Sequence, residues 1–165
     1  MIPLKDTVPS QTFPVVNIAL VIINCLVFLY EISLGPGLPP FIDRYGIVPV
    51  RFLSSRAVGD LITPLFSFMF LHGGWLHVIS NMLYLWIFGN NIEDIMGSGR
   101  FLIFYLLTGV IATFTHVASA LGSPSAEIPS LGASGAVAGV LGAYLVRFPG
   151  AQVQTCVFFI FITIS

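Results

Sequence analysis

Apolar stretches that are candidates for membrane-spanning helices dominate this chain. The first runs from Val15 to Tyr30, and four more follow at approximately Trp75 to Ile92, Phe101 to Leu121, Leu131 to Phe148 and Val153 to the C-terminus. Only 8% of the residues are charged, against about a quarter in soluble proteins. Because about 20 apolar helical residues cross the hydrocarbon core, we predict an integral membrane protein whose fold is an all-α, polytopic transmembrane helical bundle.

The last of these stretches is short for a spanning helix. The residues from Val153 to Ser165 would form about 20 Å of helix at about 1.5 Å per residue, whereas the hydrocarbon core is about 30 Å thick. We therefore expect an incomplete fifth helix and a chain that ends inside the bilayer.

Residues 35–63 differ from the apolar stretches on either side. Helix-breaking residues cluster there in Gly35-Pro36-Gly37 and Pro39-Pro40, among the charged side chains Asp43, Arg44, Arg51, Arg56 and Asp60. Apolar residues lie between these charges, so short amphipathic pieces are expected to lie among the lipid headgroups. We predict a membrane-associated loop at 35–63 within one membrane domain of residues 1–165.

Charge and cysteine content exclude several kinds of function. The formal net charge of -1 leaves no basic surface to neutralise nucleic-acid phosphates, so no nucleic-acid partner is expected. Cys25 and Cys156 lie in apolar stretches and are too few for a disulfide framework or a zinc site, so no metal is expected. Lysine and arginine are equally divided between the two predicted sides of the bundle and do not determine its orientation.

His77 and Asn81 place two hydrogen-bonding side chains on one face of an apolar helix. Their spacing of four residues separates them by about 6 Å along the helix axis. Polar groups at bilayer depth are costly and tend to serve function, although such residues also join helices at about 0.6 kcal/mol each. His72, just before this helix, is expected to be interfacial or structural rather than catalytic.

Ser134 lies between glycines at the start of a later apolar helix. Gly132 and Gly135 allow other groups to approach the backbone closely, and the first helical turn has N–H groups without intrahelical partners. Such donors suit a developing oxyanion. The alternative is that the glycines serve packing only and that Ser134 caps the helix.

These motifs, in this order, resemble those of the rhomboid intramembrane serine proteases. An HxxxN motif begins at His77 in the second predicted helix, the segment from Glu93 to Phe101 opens the third, and a GxSG motif begins at Gly132. The resemblance implies a six-helix core, of which about five helices fall within this chain. It also implies a Ser-His dyad that cleaves the transmembrane segments of membrane proteins without a cofactor.

The resemblance further implies a role for each motif residue. Ser134 resembles the catalytic nucleophile, and Gly132 resembles the first glycine of the GxSG motif. His77 and Asn81 resemble the pair that stabilises the oxyanion together with the Ser134 backbone N–H. A structural turn is expected at Glu93, Gly97 and Arg100.

The general base of the rhomboid proteases is a histidine on a sixth helix, and this chain ends before such a helix begins. We therefore expect a truncated chain that shows no measurable turnover by itself, because a serine hydroxyl needs a base to take its proton. His116, late in the third predicted helix, matches no position of the family pattern and is expected to be structural.

Two other functions stay open. A catalytically inactive rhomboid-like protein that binds transmembrane helices would account for the missing base. A small transporter or channel would account for polar residues within the apolar stretches, namely Asn17, Asn24, His77 and Asn81. The absence of a transit-like N-terminus favours a prokaryotic plasma membrane, with the lipid bilayer and transmembrane protein substrates as partners.

Overall fold

Helices form most of this protein. The computed structural model describes residues 2–157 and 160–164. Its α-helices are α1 (Val15–Ser33), α2 (Leu38–Tyr45), α3 (Pro49–Ser54), α4 (Val58–Ser67), α5 (Trp75–Met96), α6 (Ser98–Ala120) and α7 (Ser134–Arg147). Short 3-10 helices occupy Gly35–Gly37, Phe68–Phe70 and Pro124–Glu127. The predicted fold class, a rhomboid-like helical bundle, is confirmed.

Two helices in the described part of the chain, α1 and α6, are long and apolar enough to cross a membrane. The pair formed by Val58–Phe70 and α5 passes the same test together, with a bend of 82° at the break between its parts. Helix α7 is apolar but has only 14 residues. The first four predicted stretches are thus occupied by α1, α5, α6 and α7.

Helix α5 lies at the centre of the bundle, in contact with α1, α6 and α7. Its fully buried Leu85 belongs to the same core cluster as Phe101 and Tyr105 of α6. Tyr144 of α7 completes this cluster, with its ring centroid 4.7 Å from that of Phe88. Burial of these large rings fixes the positions of the helices around α5.

Close packing of small residues joins α6 to α7. Gly135 faces Ala112 of α6, and a side chain at Gly135 would overlap it. One turn further along α7, Gly139 faces Thr108 in the same way. These contacts hold the start of α7, where Ser134 lies, directly against α6.

The segment at 35–63, predicted as a membrane-associated loop with short amphipathic pieces, contains the short helices α2 and α3 and the start of α4. Pro39 and Pro49 lie in the first turns of α2 and α3, where the missing proline N–H removes no helical hydrogen bond. Ile47 and Ser130 exchange two backbone hydrogen bonds of 2.9 and 2.7 Å, which attach this segment to the chain before α7. Its association with the membrane surface stays a prediction.

The prediction of a fifth helix from Val153 onward is wrong for the residues that the structure describes there. Strands β1 (Ile2–Asp6), β2 (Val153–Val157) and β3 (Ile160–Ile164) form an antiparallel sheet in that order. Residues 158, 159 and 165 of the predicted stretch lie outside the described residues. The stretch is rich in β-branched and aromatic residues, which favour extended backbone, and β1 provides hydrogen-bonding partners for β2.

Candidate active site

Ser134 is the first residue of α7, and its side chain is exposed. Two residues earlier, Gly132 has a φ of +128°, which residues with a side chain rarely adopt. The Gly132 N–H donates to the Phe68 carbonyl oxygen at 2.9 Å and so ties this turn to the segment before α5. As the first residue of α7, Ser134 has a backbone N–H without a partner in the helix.

Gly132 is where the side chains of His77 and Ser134 come together. A Cβ atom on Gly132 would lie 2.5 Å from Cε1 and 2.6 Å from Nε2 of His77, and 3.5 Å from Oγ of Ser134. The imidazole therefore packs on the Gly132 backbone, where only glycine leaves room for it. Folding brings the histidine of the α5 motif to the serine motif of α7, more than fifty residues later in the chain.

Asn81 contacts His72, which lies in the short segment before α5. The Asn81 Nδ2 atom is 3.2 Å from Nε2 of His72, and both residues are buried. The ring of His72 also meets the ring of His77 at a centroid distance of 5.2 Å and an interplanar angle of 71°. His72 therefore touches both residues of the HxxxN motif. Sequence reasoning did not identify this relation, although His72 precedes His77 by only five residues.

Sequence reasoning also missed Glu31, in the last turn of α1. Its two carboxylate oxygens accept the His72 backbone N–H at 3.2 and 3.1 Å, and the side chain is only 1% exposed. A charged residue at the end of an apolar helix was the available signal, because such residues are rare and usually face the bundle interior. Glu31 links α1 to the segment that carries His72.

A cavity of about 190 Å³ lies beside Ser134, between α6 and the chain that precedes α7. Its lining residues come from four parts of the fold: Ile47, Phe68, Ala112, Thr113, His116, Ser130, Leu131, Gly132, Ser134 and Gly135. The Nε2 atom of His116 is buried without a hydrogen-bond partner in the part of the chain that the structure describes. His116 therefore shares a cavity with Ser134, and its predicted structural role stays untested.

Asn17 and Asn24 of α1 are both buried within the helical bundle. Asn24 donates from Nδ2 to the Leu20 carbonyl oxygen of its own helix at 2.7 Å. Asn17 packs against Gly89 of α5, which has no side chain to displace it. These are contacts within and between packed helices, which gives little support to the alternative of a transport path along α1.

Within residues 2–157 and 160–164, no three His, Cys, Asp or Glu side chains lie close enough together to hold a metal ion. Cys25 and Cys156 are free thiols, and Cys25 is exposed. The expectation that the protein needs neither a metal nor another cofactor stays a prediction.

The fold and the site define a class of protein: a polytopic membrane protein that assembles a serine, two histidines and an asparagine near the starts of two of its helices, α5 and α7. The family model of the Rhomboid domain matches residues 60–165, which is more than half of the chain. The chain therefore belongs to the rhomboid family and is an integral membrane protein.

Several curated relatives are similar to this chain. The rhomboid protease GluP of Bacillus subtilis is 37% identical over 82% of the chain, a region that makes up 24% of that relative. The mitochondrial presenilin-associated rhomboid-like protein of Bos taurus is 34% identical over 78% of the chain and 32% of the relative. The mitochondrial rhomboid protein 1 of Saccharomyces cerevisiae is 32% identical over 85% of the chain and 38% of the relative. The chain thus spans well under half the length of these relatives, and no solved structure matches it.

Proposed function

We propose that this chain is the catalytic region of an intramembrane serine endopeptidase that cleaves the transmembrane segments of membrane proteins. The observation that carries the proposal is the convergence of His77 and Ser134 on Gly132. Rhomboid membership and the 37% identity to a bacterial rhomboid protease support the same reaction. The lipid bilayer and transmembrane protein substrates are the proposed partners.

In the proposed mechanism, Oγ of Ser134 attacks the carbonyl carbon of a substrate peptide bond. The developing oxyanion accepts hydrogen bonds from the Ser134 backbone N–H and from the side chains of His77 and Asn81. Donors held in place before the reaction stabilise this charge without reorganisation, and loss of one such donor typically lowers kcat by about 10²–10³-fold. Removal of the serine proton requires a base, and the rhomboid resemblance assigns that role to a histidine of a sixth helix. The same histidine would give this proton to the leaving amine as the C–N bond breaks, and water would then hydrolyse the acyl-enzyme and regenerate the Ser134 hydroxyl.

The exposed face of α7 has the small residues that would allow a further helix to pack beside Ser134. Ser134, Ala138 and Gly142 follow one another at four-residue spacing, and all three are exposed. Small residues at this spacing allow two membrane helices to approach closely. A helix on this face would run past Ser134 and bring its own side chains to the hydroxyl.

The test is cleavage of a transmembrane reporter by the intact gene product reconstituted in liposomes. We expect Ser134→Ala to abolish cleavage, because it removes the attacking oxygen. Ser119→Ala is the matched control, since Ser119 is an exposed serine whose hydroxyl donates to the His116 carbonyl oxygen of its own helix. Cleavage that survives Ser134→Ala would overturn the proposal.

A second measurement addresses the base. We expect the 165-residue chain to cleave the same reporter at no detectable rate, since His77, the one histidine that the family pattern assigns in this chain, belongs to the oxyanion site. Turnover by the 165 residues that Ser134→Ala abolishes would show that the base lies within them, and the dyad would then have to be reassigned.

A catalytically inactive rhomboid-like protein is the second candidate. The names of the presenilin-associated mitochondrial relatives, which are called rhomboid-like and not proteases, favour it together with the absence of a family-matched base among these 165 residues. Such a protein would capture transmembrane helices in crosslinking experiments and would not react with a fluorophosphonate probe. Probe labelling of the intact protein that requires Ser134 would exclude this candidate.

The proposed compartment is a prokaryotic plasma membrane. The similarity to a Bacillus subtilis relative over 82% of the chain supports it, although mitochondrial relatives are similar at nearly the same level. Membrane fractionation of the source cells, followed by immunoblotting, is the direct test. Recovery of the protein in a mitochondrial fraction would overturn this assignment.

A further inference from the structure

We propose that His72 is a positioning residue that holds the Asn81 side-chain amide with its NH₂ group turned toward the oxyanion site. The inference rests on the proposed function, because it concerns a donor of that site. It starts from the position of His72, which is buried and in contact with both His77 and Asn81.

The first step concerns the proton on the His72 ring. The Nδ1 atom lies 3.2 Å from the Phe70 carbonyl oxygen. A carbonyl oxygen only accepts hydrogen bonds, so Nδ1 must carry the proton. In the neutral imidazole, Nε2 then has a lone pair and no proton.

The second step concerns the orientation of Asn81. A lone pair on Nε2 of His72 only accepts, so the amide group 3.2 Å away must present its NH₂ group and not its oxygen. The opposite orientation would bring two acceptors together in a buried place, at the cost of an unsatisfied polar pair. One N–H of Asn81 is used by His72, and the second stays available for a ligand.

The third step concerns what holds His72 itself. Its backbone N–H donates to the Glu31 carboxylate, and its ring meets the ring of Phe28 edge-on at a centroid distance of 6.4 Å. Together with the bond to Phe70, these contacts fix the backbone and the ring from two elements. A side chain fixed in this way can orient its neighbour, as outer residues do for ligands of metal sites.

Two substitutions separate this role from a merely structural one. In His72→Gln, the amide group falls near the position of Nε2 and retains an acceptor for Asn81. In His72→Asn, the shorter amide falls near the position of Nδ1 and retains only the bond to the Phe70 carbonyl oxygen. In the intact gene product used for the reporter assay, we expect His72→Asn to lower kcat at least tenfold with little change in KM, and His72→Gln to keep most of the wild-type kcat.

The thermal midpoint of each variant shows whether it folds. If His72 matters only through its bond to Phe70, then His72→Asn will be the more active variant, and the proposal is overturned. A double-mutant cycle adds a second criterion: in an Asn81→Ala background, His72→Asn should cause no further loss of kcat. An undiminished loss in that background would also overturn the proposal.

A measurement without substrate tests the hydrogen bond itself. In protein labelled with ¹⁵N-histidine, we expect His72 to show a protonated Nδ1 and an unprotonated Nε2, with a changed Nε2 shift in Asn81→Ala. A proton on Nε2 would overturn the inference even if the protease activity is real. Cleavage that survives Ser134→Ala would instead overturn the proposed function, so the two failures are distinguishable.

Discussion

Gly132 shows how much of the candidate site depends on a single residue. Its backbone has a positive φ, and the His77 imidazole occupies the place of its missing side chain. Gly122 also has a positive φ, of +77°, but nothing lies within 4 Å of where its Cβ would be. The two glycines therefore share a backbone requirement and differ in the contact, which allows the two effects to be separated.

In the intact gene product, we predict that Gly132→Ala abolishes cleavage and that Gly122→Ala does not. Both variants should lose stability by about 1–3 kcal/mol, because a side chain strains each backbone. Only Gly132→Ala also displaces His77 from Ser134. Cleavage rates and thermal midpoints of the two purified variants provide the comparison, and wild-type cleavage by Gly132→Ala would contradict the geometry proposed for the site.

The ion pair between Asp43 and Arg51 is a second feature at the residue scale. The Arg51 guanidinium donates to both Asp43 carboxylate oxygens, at 2.7 and 2.8 Å, and these hydrogen bonds lower the pKa of Asp43. A carboxylate with a lowered folded-state pKa stabilises the fold above its unfolded pKa of about 4, and this contribution is lost as the pH falls through the folded-state value. The effect is small because both side chains are exposed.

We therefore predict that amide exchange protection in α2 and α3 is greater at pH 7 than below pH 4. In Asp43→Asn this difference should shrink, whereas Arg44→Gln should keep it. Hydrogen exchange followed by mass spectrometry measures both variants. An identical pH dependence in Asp43→Asn and the wild type would mean that the ion pair does not stabilise this segment.

At the scale of elements, α7 has two faces made of small residues with different partners. Gly139 packs on Thr108 of α6, and an added Cβ would lie 2.5 to 2.7 Å from three atoms of that rigid side chain. Gly142 lies on the exposed face, where an added Cβ meets nothing within 4 Å. One face is thus used within the bundle, and the other is open beside Ser134.

The difference between the two faces predicts that a glycine-to-alanine substitution changes protein stability differently at Gly139 and at Gly142. Gly139→Ala should destabilise the protein by about 1–3 kcal/mol, because α7 has to move away from α6. In the 165-residue chain, where this face is uncovered, Gly142→Ala should be neutral or slightly stabilising, since alanine favours helix by up to about 1 kcal/mol. Unfolding in mixed micelles measures both, and equal stabilities would contradict the packing described for the α6 and α7 helices.

At the scale of the whole molecule, Glu93 connects three helices at the end of the bundle away from Ser134. Its carboxylate accepts the backbone N–H groups of Val16 and Asn17, at 3.0 and 2.7 Å, at the start of α1. It also accepts the hydroxyl of Ser98 at the start of α6, at 2.5 Å. The neighbouring Asp94 binds the N-terminal segment through the backbone N–H of Gln11 and the side chain of Thr12, at a more exposed position.

We predict that Glu93→Gln destabilises the fold by about 1–3 kcal/mol, because one oxygen acceptor is replaced by a donor that faces buried N–H groups. Asp94→Asn is the matched control and should have a smaller effect, since water can reach its partners. Thermal unfolding of both variants is the measurement. A larger loss in Asp94→Asn would mean that the bundle depends on the N-terminal segment more than on the helix ends.

The sequence alone determined that this protein lies in a lipid bilayer, that its first four long apolar stretches form helices, and the order of its motifs. An apolar stretch of about 20 residues predicts a spanning helix, because backbone N–H and C=O groups in the hydrocarbon core must be hydrogen-bonded within the same segment. Because side chains four residues apart lie on the same face of an α-helix, the spacing of His77 and Asn81 already placed them on one face of α5.

Only the tertiary structure decided what depends on residues far apart in the chain. The contact of His77 with Gly132, the bond from His72 to Asn81 and the attachment of His72 to Glu31 all join different segments. The stretch from Val153 became strands and not a fifth helix because β1, at the other end of the chain, supplied partners for β2. Local periodicity carries no information about such partners, since it reports which face a residue lies on and not what that face meets.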